Sequence, residues 1–223
     1  MPVTATGTAD RNCILDTQLI ITSAGLLLGA YILGSIPSGL IIARVVSGTD
    51  VRKHGSGNTG MVNVFRAAGP LAGSLTFVMD GLKGFIPVFS AHLVGLPIWG
   101  ILAVAAATIA GHNWSILLRG KGGKGIATSV GVIGAISPVI GLIAIVIWVG
   151  LLVTFRYASL ASMLMVASMP VMLAIAGYDL NYVFFGIALF LLAVIQHREN
   201  ILRLRAGSEL KINLGSTRVQ HSD

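Results

Sequence analysis

The stretch 126-IATSVGVIGAISPVIGLIAIVIWVGLLVTF-155 decides the topology of this chain. It runs for thirty residues without a charged side chain. One membrane crossing takes about 20 apolar residues, so the run is long for a single helix. Ser137-Pro138 lies near its middle. Proline removes a backbone N–H and disfavours helix at the residue before it. The spacing therefore predicts a short helix ending near Ile136 and a second from about Pro138 to Thr154.

Charge on either side supports the division. Outward from this stretch, apolar runs predict helices at about Leu19–Val46, Leu71–Val94, Ile98–Ala110, Ser159–Ala176 and Tyr182–Gln196, seven in all. With the N-terminus outside, Arg52, Lys53 and Arg66 fall inside, as do Arg119, Lys121, Lys124, Arg156, Arg198, Arg203 and Arg205. The turns near Gly95-Leu96-Pro97, Ser137-Pro138 and Asp179 fall outside and hold no Lys or Arg. That is the positive-inside pattern. The expected fold is an all-α integral membrane protein of seven transmembrane helices, C-terminus cytoplasmic, with glycine-rich cytoplasmic loops. Residues 1–17 read as a disordered polar tail, 18–205 as one membrane-embedded domain, and 206–223 as a polar C-terminal tail.

Composition agrees. The 223 residues are 55% apolar and 10% charged, against about 25% charged in soluble domains. The net charge of +7 suits topology and anionic headgroups rather than nucleic acid. Cys13 is the only cysteine, which excludes an intrachain disulfide or a cysteine metal cluster.

Four polar clusters fall on the inner side. Gly34-Ser35-Ile36-Pro37-Ser38-Gly39 interrupts the first helix, and its small residues also suit close helix packing. Arg52 to Arg66 carries Ser56, Gly57, Asn58 and Asn63, donors suited to an oxyanion, beside an arginine able to grip phosphate bidentately. Gly111 to Gly125 brings His112, Lys121, Gly122, Gly123 and Lys124 together, the composition that holds phosphate. It is no Walker loop: Gly125, not Ser or Thr, follows Lys124, and no strand precedes it. His197 and Asn200, three apart, share a helical face, and His197 can serve as acid, base or neutral donor. Asp80 and Lys83 predict a buried ion pair in the second helix. Ser159 reads as an N-cap, and Ser159 or Ser162 can donate to phosphate. No acyltransferase H-x-x-x-x-D pair, G-x-S-x-G elbow or zinc-ligand cluster is present.

Together these motifs resemble a known family. Gly34-Ser35-Ile36-Pro37-Ser38-Gly39, Gly55-Ser56-Gly57-Asn58-x-Gly60, Asn63, Arg66, Asp80-x-x-Lys83-Gly84, Gly111-His112-Asn113, Lys121-Gly122-Gly123-Lys124-Gly125-x-Ala127-Thr128, Arg156-Tyr157-x-Ser159-Leu160 and His197-Arg198-Glu199-Asn200 stand in the order found in the bacterial acyl-phosphate:glycerol-3-phosphate acyltransferases, the PlsY family. The resemblance covers about residues 24 to 211. It implies an inner-membrane enzyme with a cytoplasmic active site. Such an enzyme moves the acyl group of acyl phosphate to the 1-hydroxyl of glycerol 3-phosphate, giving lysophosphatidic acid and phosphate in the first acylation of phospholipid synthesis. No cofactor or metal is implied. The partners are the two substrates, membrane lipids and a soluble enzyme that supplies acyl phosphate. Ser56, Asn63, Arg66, Lys124, Ser162, His197 and Asn200 match residues implicated in binding or turnover. Two departures stand out: Met61-Val62 replaces the usual Ala-Thr, and Ser115 stands where proline is usual.

The expected catalytic residues are His197, Asn200, Lys124, Ser56 and Arg66. The expected substrate-binding residues are Ser35, Gly57, Asn58, Asn63, His112, Lys121, Gly122, Gly123, Ser159 and Ser162. Acyl phosphate is already activated, so the work is to place two anions together and to stabilise developing charge. The hydroxyl proton can go to His197 or to the departing phosphate. A transporter or flippase of a phosphorylated metabolite or lipid is the rival reading; it would also want basic loops and broken helices, but the polar groups cluster on one face rather than at the midplane and no inverted repeat is visible.

Overall fold

The computed structural model describes residues 6–212, and every regular element among them is helical. The order is α1 (Thr6–Ser35), α2 (Ser38–Ser47), α3 (Met61–Leu93), α4 (Ile98–Asn113), α5 (Ile126–Ile136), α6 (Pro138–Phe155), α7 (Ala158–Ile175), α8 (Leu180–Gln196) and α9 (Arg198–Arg205).

The expected division of residues 126–155 is present. Ser137 is extended (φ −147°, ψ 101°) and Pro138 opens α6, the position where a missing N–H costs nothing. The expected first helix is broken at Ile36-Pro37 into α1 and α2. The second begins ten residues early, at Met61, because Gly69 (φ +87°) takes up the kink before Pro70 while helix continues on both sides. α1 starts at Thr6, inside the segment read as a disordered tail. Extending an established helix costs far less than starting one. Residues 1–5 and 213–223 of the two expected tails lie outside the described residues.

Among the described residues, five helical stretches are long and apolar enough to cross a membrane, or six if α8 and α9, bent by 61°, form one span. Seven therefore depends on α5, whose 11 residues reach about 16 Å. The chain is a multi-pass membrane protein. Lipid tails give little hydrophobic force between helices, so close contact comes from small residues. α1 meets α4 where Gly34 lies on the Thr108 carbonyl and Gly111 on that of Tyr31; α3 meets α5 where Gly84 lies on Thr128 and Gly131 on Gly81. A side chain at any of these four would collide with backbone. α6, α7 and α8 complete the bundle around a core that includes Val104, Ile133, Met165 and Met169.

Candidate active site

A cavity of about 260 Å³ opens where the starts of α3, α5 and α7 meet the end of α8. Ser56, Asn58, Asn63, Arg66, His112, Lys124, Ser159, Ser162, His197 and Asn200 all line it. Every expected catalytic residue is thus in one place, although the segments carrying them are up to 144 positions apart in the sequence (Ser56 to Asn200). The other wall is apolar, built by Phe77, Val130, Ile145, Trp148 and Met165.

The Ser56 loop is organised by Asn63. Its Nδ2 donates to the carbonyls of Val51 (2.9 Å) and Asn58 (2.8 Å), and its Oδ1 accepts from the Ser56 N–H (3.1 Å). The amide is buried and spent on main chain, so Asn63 shapes the loop from which Ser56 lines the cavity. Trp148 Nε1 donates to Ser162 Oγ (3.0 Å), tying the apolar wall to the polar one.

Across the cavity a chain of polar contacts runs through Asn200. Lys124 Nζ donates to Asn200 Oδ1, and Asn200 Nδ2 donates to Glu209 Oε1 (2.6 Å). Glu209 also accepts from Ser159 Oγ (2.7 Å) and Arg203 Nε (2.8 Å). Arg66 Nη2 donates to the Leu210 carbonyl (2.9 Å). Burial alone would raise the Glu209 carboxyl, but the hydrogen bonds from Asn200, Ser159 and Arg203 outweigh it and hold the group below its ordinary range. Burial, with Arg203 adding to it, lowers Lys124 to about 8. His197 is buried, and its Nδ1 lies 2.8 Å from the Ala193 carbonyl. A carbonyl only accepts, so Nδ1 carries the proton and Nε2 is left with a lone pair.

Other expected binding residues are elsewhere. Ser35 is buried between α1 and α4: its hydroxyl donates to the Tyr31 carbonyl (2.8 Å) and its carbonyl accepts from Ser115 Oγ (2.5 Å). Gly57 sits in an exposed turn, and Lys121 and Arg119 are exposed away from the cavity. Gly122 and Gly123 do not offer their amides to an anion, because the N–H groups donate to the carbonyls of Asn113 (3.1 Å) and His112 (3.0 Å). The glycine loop is a tightly fastened turn that delivers Lys124.

Glu209, Arg203, Trp148 and Leu210 line the cavity and were not among the expected site residues. Glu209 and Leu210 belong to the segment read as a polar tail. Ile212, at its end, is buried against Leu152, Ala158 and Ala161, with Val62 packed on the same cluster, and its N–H donates to the Arg156 carbonyl (2.9 Å). The two departures from the family pattern have partners here. Val62 offers methyl groups to this cluster, and Ser115 supplies the hydroxyl that holds Ser35.

The chain matches the model of the glycerol-3-phosphate acyltransferase family over residues 24–207. It is 44% identical over 184 residues to a glycerol-3-phosphate acyltransferase of Desulforudis audaxviator, covering 82% of this chain and 92% of that one. Against one of Aquifex aeolicus it is 42% identical over 185 residues, covering 82% and 96%. Among solved structures it is similar to PlsY (YgiH), an integral membrane glycerol 3-phosphate acyltransferase, in its glycerol 3-phosphate form (TM-score 0.81, 40% identity, 86% of this chain and 96% of that one). The lysophosphatidic acid form of PlsY is similar at a TM-score of 0.80, 39% identity and the same coverage.

Proposed function

The chain belongs to the glycerol-3-phosphate acyltransferase family, and we propose that it acylates the 1-hydroxyl of glycerol 3-phosphate with acyl phosphate as donor. The observation that carries this reading is the joining, in one cavity, of a cationic and hydroxyl-rich half with an apolar half. The apolar half descends from Ser159 to Met165, six residues or about 9 Å along α7, room for the first carbons of an acyl chain whose remainder lies among lipids.

In this reading Arg66, Lys124 and Arg203 offset the repulsion between two phosphates, with Ser56 and Asn58 as neutral donors. The 1-hydroxyl oxygen attacks the acyl carbon. The ester C–O bond forms, the anhydride C–O bond breaks, and inorganic phosphate leaves with the electron pair. The hydroxyl proton goes to His197 Nε2 or to the leaving phosphate. Asn200, bridging Lys124 and Glu209, holds the ammonium where the anhydride oxygens develop charge. The main part of the chain is then one domain crossing the inner membrane seven times, α5 being the shortest crossing, with the N-terminus outside and the cavity opening to the cytoplasm. The clustering of Arg and Lys at the cavity end supports that orientation. A soluble enzyme making acyl phosphate fits as the supplier.

The test is direct. Purified protein in detergent or lipid mesophase receives acyl phosphate and glycerol 3-phosphate, and phosphate and lysophosphatidic acid are measured. No release dependent on glycerol 3-phosphate overturns the reading. In the same assay, His197→Gln separates the two proton acceptors: near-normal turnover assigns the proton to the leaving phosphate.

A further inference from the structure

Three ionisable side chains take part in none of the hydrogen bonds around Asn200 and Glu209, although Asp80 and His112 line the same cavity. Asp80 and Lys83 on α3 and His112 on α4 are 2%, 5% and 6% exposed. Ionisable groups inside a membrane bundle are costly and mark function rather than stability. Lys83 Nζ lies 2.9 Å from Asp80 and donates to the Ile36 carbonyl (2.8 Å), which is at the break between α1 and α2. Asp80 Oδ1 in turn faces His112 Nδ1 at 3.8 Å. The three groups therefore join α1, α3 and α4 at one point.

The imidazole of His112 is the bed of the glycine loop. Gly123 packs on it so closely that a methyl group at Gly123 would overlap Nε2, Cε1 and Cδ2 of the ring. The main chain repeats the attachment, since the Gly123 N–H donates to the carbonyl of His112 itself. Lys124 is the next residue. Where the ring lies fixes where the Lys124 backbone lies, and the ring is buried beside Asp80, which Lys83 holds.

We propose that His112 is a positioning residue: buried beside the Asp80–Lys83 pair, it sets Lys124 through steric contact with Gly123 and does not act on the substrates itself. This rests on the reading of Lys124 as a phosphate-binding group. It replaces the expectation that His112 binds substrate, and it gives the Asp80–Lys83 pair a task.

A size exchange tests it. His112→Ala removes the bed, and Gly123→Ala pushes a methyl into the intact ring. Each alone is expected to lower kcat/KM for glycerol 3-phosphate by tenfold or more. The pair His112→Ala/Gly123→Ala places the new methyl in the space the ring left, and is expected to recover at least tenfold over the His112→Ala single variant. A double variant no more active than His112→Ala would mean that the imidazole acts on substrate, and the proposal fails. It also fails if His112→Ala retains full activity. A readout independent of catalysis runs alongside: the rate at which an amine-reactive reagent modifies Lys124, followed by mass spectrometry. This rate should change in each single variant and return towards wild type in the double, whereas an unchanged rate in both singles overturns the proposal. Wild-type protein in the same activity assay shows separately whether the acyltransferase reading holds. His112→Asn, of smaller volume change, serves for the same measurements should His112→Ala not remain monodisperse.

Discussion

Raising the pH should switch this enzyme off through Lys124 while making that residue's own contribution to stability more favourable. Burial holds the Lys124 ammonium at about 8 instead of 10.5. One unit above its pKa, at pH 9, about a tenth of the free enzyme carries the charge, whereas an unperturbed lysine would remain almost wholly charged. Because kcat/KM reports the free enzyme, it should fall about tenfold between pH 7 and pH 9. The substrates hardly confound the limb, since phosphate monoesters have a second pKa of about 6 and are about nine-tenths doubly ionised by pH 7. Linkage has the opposite sign. A group whose folded pKa is depressed below the unfolded one binds fewer protons when folded, so stability rises with pH between about 8 and 10.5. The full difference is on the order of 3 kcal/mol. The assay is initial phosphate release from pH 6.5 to 10, with uncatalysed hydrolysis subtracted, beside thermal unfolding of wild type and Lys124→Met at each pH. Wild type should gain stability relative to the methionine variant over the window in which it loses activity. Lys124→Arg, charged above pH 12, should lose the alkaline limb whatever its absolute rate. A kcat/KM that stays level to pH 10 in wild type, or the same limb in Lys124→Arg, refutes the reasoning.

Three further outcomes follow from the geometry. Glu209→Gln sets an amide N–H₂ against groups that all donate, Ser159, Asn200 and Arg203; each unmet polar group costs about 1–3 kcal/mol, so kcat/KM should drop ten- to a hundredfold in the phosphate-release assay. Gly111→Ala drives a methyl into the Tyr31 carbonyl and should lower stability by about 1–3 kcal/mol, read as a lower unfolding temperature in detergent. Trp148→Phe keeps the apolar wall but removes the donor to Ser162; the loss of one neutral hydrogen bond, about 1 kcal/mol, should raise KM for the acyl donor a few-fold at nearly constant kcat in steady-state kinetics.

The fold was legible where two signals coincide. Pro138 stands in the middle of an apolar run too long for one crossing, and α5 and α6 divide there, whereas Pro87 and Pro170, without that second signal, lie inside α3 and α7. Gly69 shows the opposite case. Glycine next to proline reads as a stop, so the helix was expected to start beyond it, yet positive φ at Gly69 lets helical backbone resume at once and extends α3 back to Met61. That extension matters for the site, because it places Asn63 in the first turn and Arg66 in the second turn of a helix instead of in a loop. The number of crossings was less legible. α5 is apolar but short, and apolar composition reports an environment without reporting depth.

The site divides along a similar line. Of the charged or titratable side chains that gather at the cavity, Arg66, His112, Lys124 and His197 stand in motifs and were picked out, while Arg203 and Asn200's partner Glu209 were not. Glu209 stands alone in a polar segment, and its hydrogen-bond partner Ser159 is 50 positions away, while the strap that carries it is held at Leu210 by Arg66, 144 positions away. A polar composition is the same whether a segment is hydrated or pinned by distant donors, so no local pattern could separate the two. The glycine loop differs in the reverse direction. Glycines beside lysines do suit an anion, but an amide has one proton to give, and those of Gly122 and Gly123 are given to the end of α4. What glycine supplies at Gly123 is the absence of a side chain over His112, which makes the loop a support for Lys124; in the acyltransferase reading the anions are left to side chains of the Ser56 loop, α3, the loop leading into α5, and α9.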